Sequence, residues 1–129
     1  RSFSDMKDKF GGTHYAHQAG LLAAKSLQAQ GKADAARAAL KWVADGASDA
    51  AYRDIARLRL SALLLDAGSN DDALAQLALP FTPAMAGLAA DLRGDVLQAK
   101  GQKTEAVAAY QTAWQQLTDS ADYRRVVDP

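Results

Sequence analysis

Cysteine is absent from this 129-residue chain, so neither a disulfide framework nor thiolate chemistry is open to it. Proline occurs three times, aromatic residues make up 7% of the chain, and strand formers are sparse, which leaves little from which to build a sheet. Formal net charge is zero, which removes the argument for nucleic-acid binding that a strongly basic domain would make. No apolar run reaches the roughly 18 to 20 residues that span a bilayer. The longest candidate, LRLSALLL from Leu58, reads as a buried helix. The chain opens on Arg1 without an initiator methionine, and the expectation is a soluble piece with an anchor or signal upstream. What the chain has in quantity is alanine, 30 copies. Alanine has the best helix propensity, and its small side chain lets helices approach closely. With 49% apolar and 23% charged residues, the length fits one compact, all-helical domain.

Charge is unevenly placed. Residues 1–60 hold ten Lys or Arg against six Asp, and residues 61–129 hold five against nine acids. Either a basic end meets anionic head groups or an acidic partner, or solvated faces happen to be unevenly charged.

One short pattern recurs three times: GKADAA from Gly31, GSNDDA from Gly68 and GQKTEA from Gly101, with Ala36, Ala73 and Ala106 in matching places. The spacings of 37 and 33 residues bracket the roughly 34-residue period of a tetratricopeptide repeat. A helical hairpin of that length cannot bury its apolar face alone, so neighbours must stack. The expected fold is an all-α, tetratricopeptide-repeat-like solenoid of about three helical hairpins, with partial helices at both ends.

Along the chain, residues 1–12 read as the end of a preceding helix, 13–118 as the repeat domain, and 119–129 as the start of a capping segment. Thr13 is placed to cap a helix over about 14–30, with Tyr15, Ala19, Leu22, Ala23 and Leu27 as its apolar face. Its partner runs from about 33 to 45 with Ala36, Leu40 and Val43 inward. The second hairpin pairs about 49–67, burying Ile55, Leu58, Leu60, Leu63 and Leu64, with a short helix that Asn70 caps and Pro80 must end. Phe81 then plugs the gap between hairpins. Pro83 suits the first turn of a helix over about 83–100, striped by Leu88, Leu92, Val96 and Leu97. Gly94 there admits the facing helix. The last helix, about 103–117, carries Ala106, Val107, Tyr110, Ala113, Trp114 and Leu117.

The stretch AADLRGDVLQAKGQKTEAVAAYQTAW, Ala89 to Trp114, resembles the corresponding part of the YfgM family. IARLRLSALLLDAGSNDDALAQL from Ile55 is similar to that family's middle hairpin, and THYAHQAGLL from Thr13 matches more loosely. The resemblance covers about residues 13–118. It implies a single-pass protein of the bacterial inner membrane whose helical domain lies in the periplasm. The implied role is an ancillary subunit of the Sec translocon that links the channel to periplasmic chaperones. Implied partners are translocon subunits, a periplasmic chaperone and unfolded secreted chains.

In such a solenoid the first helix of each hairpin lines the hollow. Aligning on the three turn glycines puts Gln18, Leu21, Lys25 and Gln28 there from the first hairpin. The second supplies Ile55, Leu58, Ala62 and Leu65, and the third Leu88, Asp91, Asp95 and Gln98. An apolar middle with polar edges suits a docked helix or extended segment; equally, the strip is core. Arg93, Gly94 and Asp95 spell an adhesion tripeptide, but in a helix Arg93 and Asp95 point apart, and contacts between helices are the better expectation for Arg93, Asp91 and Asp95. Asp91 and Asp95 share a face without a third acid or a histidine, the signature of a solvated acidic edge. His14 and His17 have helical spacing for a joint metal site but no further ligand close by, so a surface or helix-start role is expected. Trp42 and Trp114 fall on outer helices, where rings pack between repeats.

No phosphate loop, nucleophile elbow or zinc helix occurs, so no enzyme, cofactor or metal is expected. The reading is a scaffold that binds proteins. The alternatives are a generic adaptor reading a peptide terminus, for which Lys25 is a lone inner cation, and a cell-envelope coordinating protein.

Overall fold

The computed structural model describes residues 13–118; the expected helix end at 1–12 and capping segment at 119–129 lie outside them. Six helices follow in order: α1 His14–Ala29, α2 Ala33–Gly46, α3 Ala50–Asp66, α4 Asn70–Leu77, α5 Pro83–Ala99 and α6 Lys103–Thr118. No strand occurs among the described residues. Thr13 caps α1 by accepting from the Ala16 amide at 3.0 Å, and Asp49 caps α3 by accepting from the Ala51 and Tyr52 amides. Pro83 opens α5. Asn70 does not cap α4; Ser69 holds that position without a side-chain bond, and the Asn70 carbonyl is buried unpaired.

The repeated glycine–alanine pattern has a physical cause. Gly31, Gly68 and Gly101 all take φ near +80°, at 76°, 78° and 80°, a region open to glycine at little cost. At each, the following amide reaches back to a helix carbonyl: Lys32 to Leu27, Ser69 to Leu64 and Gln102 to Leu97, at 2.8, 2.8 and 2.9 Å. This is the six-to-one closure of a Schellman turn. It folds the next helix back, and the alanine five places on is then fully buried in the hairpin, as Ala36, Ala73 and Ala106 are.

Each helix packs on the next, and α1 touches α3 as α3 touches α5, whereas the backbones of α2 and α4, and of α4 and α6, do not approach closely. Inner helices α1, α3 and α5 are therefore close, the outer ones splay, and the stack curves around the inner layer. One cluster centred on Leu40, Val43, Ala56 and Leu60 holds the first three helices together. A second, with Ala73, Leu77, Ala89 and Val96, joins α4 to α5, and Phe81 packs against it as expected. Gly94 lies under the Tyr110 ring, so α5 and α6 approach closely there.

Several apolar residues expected inside are outside. Tyr15 and Leu22 are about two-thirds exposed; α1 instead buries Ala16, His17, Gly20, Leu21 and Ala24. By repeat register Tyr15 and Leu22 correspond to Tyr52 and Arg59, which face back toward the preceding hairpin, Arg59 donating to the Leu21 carbonyl at 3.3 Å. Helix α1 is the first described element, and no described helix packs on that face. Val107 and Trp114, on the last helix, are likewise exposed.

Candidate functional site

The inner face follows from helical phase. On α5, Leu88, Asp91, Asp95 and Gln98 lie within one stripe at 3.6 residues per turn, and all four are exposed. On α3 the matching stripe of Ile55, Leu58, Ala62 and Leu65 is half-buried, because that helix is flanked on both sides. Ile55 packs against the first core cluster and Leu58 and Leu65 against the second. The strip is thus neither sealed core nor an open trough: each leucine contributes to the stack and shows its remaining surface to the hollow. On α1, Gln18, Lys25 and Gln28 are exposed, but Leu21 is only 9% exposed and belongs to the core. It packs in the cluster that joins α1, α2 and α3, although it holds the same repeat position as Leu58 and Asp91.

The two edges differ in charge. Lys25 stands on the α1 side and Asp91 with Asp95 on the α5 side. Asp95 accepts a hydrogen bond from the Tyr110 hydroxyl at 2.6 Å, and the same hydroxyl bonds Gln98 at 3.1 Å. That contact carries α6 to the rim of the hollow, as expected of Asp95. The bond to the Asp95 carboxylate, with a smaller contribution from burial, pushes the Tyr110 hydroxyl up to about 12. The sequence names Tyr110 only among the residues carried by the last helix; its place beside Gly94 and Asp95 comes from the packing of α6 on α5.

Two polar residues of α3, one fully buried and one partly, were not foreseen. Asp54, fully buried on α3, accepts from the Thr82 amide at 2.9 Å and the Thr82 hydroxyl at 2.8 Å. Arg57 donates to the Pro80 carbonyl at 2.7 Å. Burial, and then the nearby Arg53, lowers the Arg57 pKa. Together they fasten the link between α4 and α5, the stretch that proline forces out of helix. The available clue was an aspartate in the interior of a helix whose other interior charges are arginines.

The histidine pair diverges. His17 is 2% exposed, its ring 4.9 Å from that of Trp42, while exposed His14 lies edge-on to Tyr52 at 5.9 Å. Burial, reinforced by His14, lowers the His17 pKa, and its Nδ1 is buried without a partner. His17 is thus a core residue, not the surface or helix-start residue expected. Trp42 meets it within the first hairpin and also packs against the cluster that reaches into α3 of the next. Among the described residues no group of three or more His, Cys, Asp or Glu is placed to hold a metal ion, and no helix is long and apolar enough to cross a membrane.

These features, three hairpins closed by identical turns around a curved inner layer, agree with comparison to known families. The family model for the tetratricopeptide repeat-like domain matches residues 1–128. Among curated proteins no sequence matches. The chain belongs to the tetratricopeptide repeat-like family.

Proposed function

We propose that this tetratricopeptide repeat-like chain is a scaffold that holds partner polypeptides in the hollow lined by α1, α3 and α5. The observation that carries the reading is the inner stripe itself: half-buried Ile55, Leu58 and Leu65 beside exposed Leu88, with Lys25 on one edge and Asp91 and Asp95 on the other. A partner segment gains apolar contact in the middle and is oriented by charges of opposite sign at the edges. No bond is made or broken; the mechanism is presentation on a rigid stack.

The resemblance of the Ala89–Trp114 and Ile55–Leu77 stretches to the YfgM family supports a finer reading. In it this domain faces the periplasm, anchored in the bacterial inner membrane by one helix, and serves as an ancillary subunit of the Sec translocon. Its partners are then translocon subunits, a periplasmic chaperone and secreted chains not yet folded.

Glutamate at Leu58 and Leu65 would strike the core as well as the hollow, so the test lies at exposed positions. A photo-crosslinking residue replaces Leu88 in the full-length protein in intact membranes, with Ala38 on the outer face as control, and the products are identified. Translocon and chaperone products from position 88, lost on adding Asp91→Lys, are expected. Equal products from both positions would remove the hollow as the binding face. Products lacking any translocon component would leave an adaptor or cell-envelope role in its place.

A further inference from the structure

The outer layer has a gap. Helix α4 has 8 residues where α2 has 14 and α6 has 16, so it is shorter than α2 by about 9 Å at 1.5 Å per residue. Pro80 keeps the chain from continuing as helix, and the Asp54–Thr82 and Arg57–Pro80 bonds draw it directly into α5. Beside the end of α4 this leaves a notch of about 220 Å³. It is lined by Leu77 and Phe81, by Ala86, Ala89 and Ala90 of α5, which give it an alanine floor, and by Thr112 and Gln116 of α6.

Arg93 is the charged residue in that lining. It lies about 200° around α5 from Asp91 and from Asp95, on the side away from the hollow. Among the described residues it makes no ion pair and no hydrogen bond. An apolar notch with one unpaired guanidinium calls for an apolar group with a carboxylate beside it.

We propose that this notch receives a short amphipathic helix of a partner protein, which takes the place of the missing turns of α4, lays apolar side chains on the alanine floor and pairs an acidic residue with Arg93. The walls favour a helix over an extended strand: no backbone edge is offered for pairing, and alanine on the facing helix permits the 8–10 Å axial approach of packed helices. This surface is on the opposite side of α5 from the hollow, so the molecule would hold two partners, or two parts of one, at once.

The probe is a stapled helical peptide of about 12 residues, since an unconstrained one of that length is barely helical. It is alanine-based, with Leu and Glu four residues apart, and is titrated into isotope-labelled full chain by NMR. Expected are shifts centred on the amides of Ala86, Ala89, Ala90, Arg93 and Thr112. Affinity should fall about five-fold when the peptide's Glu becomes Gln or the protein carries Arg93→Gln. A peptide with Lys in place of Glu should regain affinity for Arg93→Glu. Arg93 is exposed, so these variants should keep the parent circular dichroism spectrum. Binding indifferent to Arg93, or no shift at millimolar peptide, overturns the proposal. Shifts centred on Leu58 and Leu88 also overturn it, while leaving the hollow as a binding face.

Discussion

Replacing Gly94 by alanine sets two effects of opposite sign against each other, and the structure says which wins. In a helix interior alanine is favoured over glycine by about 1 kcal/mol. A Cβ at position 94, however, would stand 2.4 Å from Tyr110 Cε1 and 2.6 Å from Cδ1, far inside the 3.5–4.0 Å of carbon contact. The ring cannot swing away freely, because its hydroxyl is held by Asp95 and Gln98. Overpacking of this kind costs about 2 kcal/mol, and loosening the hydroxyl adds about 1 kcal/mol. Gly94→Ala should therefore destabilise the protein by about 2 kcal/mol. In a Tyr110→Ala background the obstacle is gone and only propensity remains, so the same substitution should stabilise by about 1 kcal/mol. The coupling of about 3 kcal/mol is at the upper end for residues in contact. Urea unfolding followed by far-ultraviolet circular dichroism reads both, provided the slope with denaturant is unchanged among the four proteins. A raised midpoint for Gly94→Ala in the parent chain would refute the reasoning, and so would a lowered one in the Tyr110→Ala background.

Two further outcomes follow from buried His17 and Asp54. The His17 pKa is held below its ordinary 6.5 by burial and by His14; the unfolded chain then binds the proton more readily, so stability is full above pH 6.5 and falls as pH drops below it toward the folded value. His17→Leu should flatten that part of a plot of urea midpoint against pH, and an unchanged slope would assign the acid sensitivity elsewhere. Asp54→Ala strips the Thr82 amide and hydroxyl of their buried acceptor and should cost about 3 kcal/mol. Amide exchange at Thr82 should then quicken well before that of Leu40, and equal protection at both sites would show that the link is held by something other than Asp54.

Much of the architecture was legible because it is written in backbone chemistry. A glycine at positive φ, a threonine or aspartate before a helix and a proline at its first turn each act locally, so helix limits came within two residues. The heptad-like stripes were less readable. Tyr15 and Leu22 read as part of the apolar face of α1 only if apolarity means burial. In a stack, though, every helix has two or three buried directions, and on α1 and α6 one of them meets no other described helix. The core of α1 uses Ala16, Gly20 and Ala24 instead, residues whose smallness is the packing signal. Leu21 failed for the related reason that one repeat position is core on α1, as Leu21, and exposed on α5, as Asp91. Asp54 and His17 were opaque for another cause: their partners, Thr82 and Trp42, are 28 and 25 residues away in the chain, and no local pattern names them.

The short α4 connects these findings. A full-length helix there would have covered the alanines of α5 and placed the α4–α5 turn at the far end of the stack, where Asp54 and Arg57 could not reach it. Ending at Leu77 brings Thr82 onto a buried carboxylate, and that bond fixes where α5 begins and hence its rotation about its own axis. Rotation decides which side chains face which way: Leu88, Asp91 and Asp95 toward the hollow, Arg93 and the alanines toward the outside. If Asp54 sets that phase, then loosening it should disturb both faces together. In Asp54→Ala, crosslinking from position 88 and the peptide shifts at Ala90 should weaken in parallel, although neither residue touches Asp54. Loss at one face with full retention at the other would separate the two surfaces and show that α5 takes its orientation from α6 through Gly94 alone.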